Sequence, residues 1–128
     1  MAEVNPSKVF SFYNEVPLSD DMKKFLSDKE EVQFCVKTVR DIAVFTDKRI
    51  LIADKQGITG KKVEYYSIPF KNIITYSIET AGRLDLDSEI KLTLSGGLKV
   101  ELKFMKEKNM DGLLLKTYHL LNDHIIES

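Results

Sequence analysis

The chain has 128 residues, 43% of them hydrophobic and 30% charged, with a net charge of −1. That length fits one domain with one sizeable core, and the near-zero charge excludes a global pull toward nucleic acid or an anionic membrane. The lone Cys35 excludes an internal disulfide, no apolar run is long enough for a spanning helix, and the start MAEVNPSKVF lacks the basic-then-apolar layout of a secretory signal, so the expected compartment is the cytoplasm.

Residues 1–17 are mixed in character and punctuated by Pro6 and Pro17. Val9, Phe10, Phe12 and Tyr13 cluster at near-helical spacing, which predicts one or two turns of an arm covering its own domain. Exchange of that arm onto a neighbouring subunit is the less favoured reading, because termini are usually frayed or tied down in cis. Ser19 can cap a first turn, Asp20 and Asp21 suit its positive end, and Met22, Phe25 and Leu26 fall on one face, which predicts a short helix over 20–27. Residues 1–28 are thus read as arm and short helix, and 29–128 as the main body of a single domain.

The apolar period then becomes two. Val32, Phe34 and Val36 read as the buried face of a strand, with Cys35 on its outward face and partly exposed. Further strands are predicted over 40–46, 49–53, 62–68 and 71–79. Ile50, Leu51 and Ile52 are dense enough for burial on both faces, and Ile74, Tyr76 and Ile78 share one face. The polar turn at 47–48 and the glycine-bearing loop at 56–60 separate these strands. Residues 89–94 and 98–104 form the clearest hairpin, turning at Ser95-Gly96-Gly97. A last helix is predicted over 110–126, capped by Asn109, with Met110, Leu113, Leu114, Tyr118, Leu121 and Ile125 as its apolar stripe. Seven strands and an amphipathic helix predict a mainly β (α+β) domain whose helix covers an open end of the sheets.

Two strings, VRDIAVFTDKRILIADKQGITGKKVEYYSIPFKNI and YSIETAGRLDLDSEIKLTLSG, closely resemble the bacterial pleckstrin-homology-like (PH-like) family, small domains of unknown function. The resemblance implies a partly open seven-stranded antiparallel barrel of two sheets, capped by the helix over 110–126. It also implies a tendency to form closed rings with subunits pairing strand to strand. Such assembly is physically reasonable, since a partly open barrel leaves edge backbone groups that invite another strand. Family resemblance of this kind implies a fold and an assembly but not a function.

The candidate chemistry is sparse. Gly57-Ile58-Thr59-Gly60-Lys61-Lys62 superficially resembles a phosphate loop, but its glycines are too close together, Val63 stands at the hydroxyl position and a strand follows, which favours a plain loop. Lys37, Arg40 and Lys48 are the candidate anion or lipid-headgroup residues, within a wider set that includes Arg49, Lys55, Lys61 and Lys62. The interspersed Asp41 and Asp47 favour a solvated, charge-balanced surface. Asp85, Asp87 and Glu89 would share one side of an extended chain, as a weak hard-cation candidate. His119 and His124 are five residues apart and cannot ligate one ion from one helix face. Cys35 has no neighbouring histidine or cysteine in sequence. The aromatic residues sit at strand spacing, as core and not as a nucleic-acid platform. The expected function is a non-enzymatic interaction or scaffolding module that self-associates through edge strands into a ring-like homo-oligomer, with a protein or peptide partner. No catalytic residue, metal or cofactor is expected, and peripheral binding of an anionic lipid headgroup or of a peptide ligand is the alternative.

Overall fold

The computed structural model describes residues 7–80, 87–106 and 110–127. Among them lie nine strands, β1 (Ser7–Phe12), β2 (Glu15–Val16), β3 (Val32–Lys37), β4 (Ile42–Thr46), β5 (Arg49–Gln56), β6 (Lys62–Pro69), β7 (Ile73–Glu79), β8 (Ser88–Leu94) and β9 (Lys99–Phe104). The helices are α1 (Asp20–Lys23) and α2 (Met110–Leu121), the second prolonged by a π turn at Asn122–Ile126. A 3-10 turn at Phe70–Asn72 links β6 to β7. The strands form two sheets, in the orders β1-β9-β8-β7 and β2-β3-β4-β5-β6, that pack face to face as a partly open PH-like fold.

All seven predicted strands are present, and β1 and β2 are added to them. Val9, Phe10 and Phe12 of the N-terminal cluster lie in a strand rather than in helical turns, and Tyr13 follows it. Phe10 and Phe12 alternate inward while Val9 points out, a period of two that the near-helical spacing of four apolar residues disguised. β1 pairs with β9 in parallel, so the fold is not wholly antiparallel. The chain then crosses to the other sheet, where β2 pairs with β3. The Met105 amide donates to the Phe12 carbonyl (2.9 Å) and the Tyr13 amide to the Lys37 carbonyl (2.9 Å), so one segment stitches the sheets together at this corner.

The main core lies between the sheets. Phe12, Phe34, Phe45 and Phe104 meet there with Ile50, Ile52, Ile68, Ile90, Leu92, Val100 and Leu102, and α2 closes one end with Met110, Leu113, Leu114, Leu120 and Leu121. A second, smaller core lies on the outer face of the five-stranded sheet, where Met22 of α1 covers Cys35, Val44, Leu51 and Ala53. The predicted burial of β5 on both faces follows from it: Ile50 and Ile52 enter the main core and Leu51 the outer one. Cys35 does point outward, but α1 covers that face and the thiol is buried, not partly exposed.

Two bulges change the predicted phases. A register shift between Val32 and Phe34 sends Val32 to the outer cluster while Phe34 and Val36 stay inside. Another between Ile73 and Thr75 buries Ile73 and turns Ile74 out, leaving Tyr76 and Ile78 against the core. α1 ends at Lys23, short of the predicted 27, and is capped as expected by Ser19, whose hydroxyl accepts from the Met22 amide (3.3 Å). Asn109 lies outside the described residues. Among the described residues no helix is long and apolar enough to cross a membrane.

Candidate functional site

The β3–β4 turn and the β5–β6 loop lie together at one end of the five-stranded sheet, and Arg40 binds them to each other. Its guanidinium donates to the carbonyls of Lys55 (3.3 Å) and Gly57, with a longer contact to that of Ile58 (3.5 Å). Gly57 (φ 69°) and Gly60 (φ 65°) adopt the left-handed conformation there, and a side chain at Gly60 would meet Arg40 at 2.9 Å. No helix follows this loop. β6 does, so it is the hairpin connection that the spacing favoured and not a phosphate loop. Lys37 is exposed where β3 ends, and Lys55 faces Asp41 at 3.9 Å. Val39 and Ile58 are exposed at the same tip.

Lys48 stands apart from these two. It occupies the β4–β5 turn, at the opposite end of β4 from Arg40, so the three candidate headgroup residues divide into a pair and a single residue. The remaining candidates are equally dispersed. Asp85 lies outside the described residues. Asp87 accepts from the Lys106 amide (2.9 Å), and Glu89 sits on β8, 3.6 Å from Lys91. His119 is exposed on α2, whereas His124, in the π turn, stacks on Phe70 (5.8 Å between centroids, 21° between planes). Burial, with a smaller contribution from the Glu15 charge, pushes the Cys35 thiol up to about 11, so at neutral pH it is a protonated, poor nucleophile.

A concavity lies at Lys48's end. An open cavity of about 620 Å³ lies between the β4–β5 turn, the 3-10 turn after β6 and the π turn. Its wall is built on Glu30 and Arg49. The Glu30 carboxylate takes two hydrogen bonds from the Arg49 guanidinium (2.8 and 3.2 Å), one from the Thr46 hydroxyl (2.8 Å) and one from the Ser27 amide (2.8 Å). Arg49 also donates to the Phe25 carbonyl (2.6 Å) and the Ser67 hydroxyl (2.8 Å). Burial alone would raise the Glu30 pKa, but the bonds from Arg49, Ser27 and Thr46 and the Arg49 charge outweigh it and hold the carboxyl below its usual value. Neither Glu30 nor the cavity stood out in the sequence, because its walls come from segments around residues 30, 48, 70 and 124 that nothing in local spacing connects.

The Glu30–Arg49 pair has a testable consequence. Glu30 is 3% exposed and Arg49 22%. Glu30→Gln is therefore expected to cost about 2–3 kcal/mol at neutral pH, less than breaking a fully buried pair, because Arg49 stays partly in water. The folded pKa lies below the unfolded one, so this contribution is complete above the unfolded value. It is lost as pH falls through the folded value. Urea unfolding across pH checks this: the gap between wild type and Glu30→Gln should be flat near neutrality and close below about pH 4.

The order of two sheets and a terminal helix, with this distribution of loops, is matched among known proteins. The sequence pattern of the family described as Bacterial PH domain covers residues 7–125. The chain belongs to the bacterial PH domain family. YjqA of Bacillus subtilis is 47% identical over 95 residues, which cover 73% of this chain and 76% of that protein. The crystal structure of a DUF1696 family protein with a pleckstrin-homology domain from Shewanella loihica superimposes with a TM-score of 0.73 at 36% identity, covering 88% of this chain and 96% of the other. A pleckstrin homology domain from Shewanella amazonensis gives 0.61 at 40% identity, covering 82% of each chain. In this bacterial PH domain the match begins at Ser7, the first residue of β1, and runs on to Ile125 in the π turn.

Proposed function

We propose that this bacterial PH domain is a non-catalytic interaction module that self-associates head to tail into a closed ring. The observation that carries this reading is the state of the four-stranded sheet's ends. β7 and β1 are its outermost strands, each paired on one side only among the described residues, and each turns an apolar residue to solvent: Ile74 is 64% exposed and Val9 50%. An edge with unpaired backbone groups and an apolar side chain is a template for another strand. Joining the β7 edge of one subunit to the β1 edge of the next continues the sheet, and a rotation that closes yields a ring. A non-catalytic role is supported by the groups best suited to chemistry, since Glu30 and Arg49 satisfy each other and the Cys35 thiol is buried and protonated.

The expected solution mass, by light scattering over a dilution series, is a discrete multiple of 14.7 kDa. Ile74→Lys should reduce it to a monomer with an unchanged circular dichroism spectrum. A wild-type chain that is monomeric throughout would overturn the ring. A second reading then gains weight, because Val39 and Ile58 project beside Arg40 and Lys37, an apolar tip with a basic rim suited to an anionic lipid surface. Sedimentation of that monomer with anionic vesicles at low salt would support it, and failure to pellet there would sink it.

A further inference from the structure

We propose that the cavity at the helix-capped end binds a small organic anion whose charged group is joined to a flat apolar body, such as an aryl carboxylate or aryl phosphate. At about 620 Å³ the cavity is of ligand size. Its apolar side is formed by Pro69 and by Phe70, against which the His124 imidazole lies nearly parallel. A flat ring can continue such a stack.

The charged groups around the cavity differ in whether they already have partners. Both acids at the cavity are engaged: Glu30 by Arg49, Thr46 and Ser27, and Asp47 by the Glu31 amide, which donates to its carboxylate at 2.8 Å. The lysines are not. Lys29 and Lys71 form no ion pair with any described residue, and Lys48 has only Asp47 at 4.0 Å. Three ammonium groups therefore stand around an apolar wall whose own carboxylates are spoken for. All three lysines are exposed and hydrated, so a cationic ligand would meet repulsion there, and a fully apolar one would gain nothing from their charge. An anion with an apolar body satisfies both sides. The site lies away from the Arg40 tip and involves neither β1 nor β7, so it stands or falls independently of the ring and of the lipid reading.

The test uses the full chain and the fluorescent aryl sulfonate 1-anilinonaphthalene-8-sulfonate. Saturable binding at one site per chain is expected, with competition by phenyl phosphate but not by phenol or inorganic phosphate at the same concentration. Lys48→Glu/Lys71→Glu should weaken affinity roughly tenfold or more, through loss of two attractive charges and gain of two repulsive ones. Lys61→Glu/Lys62→Glu, at the distant end where the β5–β6 loop enters β6, should leave affinity unchanged. Should a thermal melt show that the Lys48→Glu/Lys71→Glu variant is destabilised, Lys48→Gln/Lys71→Gln removes attraction without adding repulsion and should weaken binding in the same direction. Absence of saturable binding, equal affinity in the Lys48/Lys71 variant and wild type, or equal loss in both double variants would overturn the proposal.

Discussion

Leu102→Asp is expected to abolish folding. Leu102 lies in the middle of β9, pairs with Ile90 on one side and Phe10 on the other, and is fully buried in the main core. An aspartate there has no cation or donor within the apolar interior, so it must either bury a charge or take up a proton. Either route costs about 5 kcal/mol or more, comparable to the whole stability of a domain this size. Lys103, the next residue, points to the other face. An aspartate there faces Glu89 across the β8–β9 pair, so Lys103→Asp is expected to cost about 0.2–1 kcal/mol rather than nothing. Chemical denaturation followed by circular dichroism separates the two. Similar stabilities would mean that the alternation along β9 is out of phase with the core.

That alternation is the kind of signal a sequence states openly. Ile90, Leu92 and Leu94 on β8 and Val100, Leu102 and Phe104 on β9 each repeat with a period of two, the pattern of a half-buried hairpin, and Ile90 faces Leu102 as Leu92 faces Val100. The last helix was legible for the same reason, from a stripe at helical spacing. What failed to show was whatever depended on a second surface. The outward phase of Cys35 was legible, but not that α1 would lie over it, since Met22 reaches the outer face only in three dimensions. Bulges at Val32–Phe34 and Ile73–Thr75 carry no glycine or proline to announce them, so the phases of Val32 and Ile74 reversed unseen. The basic residues were visible as a group, yet Arg40 and Lys48 belong to opposite ends because one strand lies between them. The cavity is a tertiary product of four separated segments and had no local signature at all.

Phe12→Ala decides whether the N-terminal strand is part of the fold or an accessory to it. The Phe12 side chain is fully buried and packs edge-to-face on Phe45 of one sheet (5.6 Å, 80°) and Phe104 of the other (5.4 Å, 78°). Phe45 in turn stacks on Phe34 (4.5 Å, 13°), so Phe12 is the ring through which the two sheets touch at this corner. Truncation removes a large apolar surface and leaves a hole bounded by rigid rings that cannot collapse into it. The expected cost is about 3–5 kcal/mol. Val9→Ala, in the same strand but half in water, should cost about 0.5 kcal/mol or less. Urea midpoints for the two variants and wild type measure the contrast. A loss below about 1 kcal/mol for Phe12→Ala would mean that the domain folds without β1 and that the corner between β9 and β3 is held by the strands alone. A loss near the expected value would make residues 7–12 as much a part of the core as β9, since the same ring closes the contact from both sides.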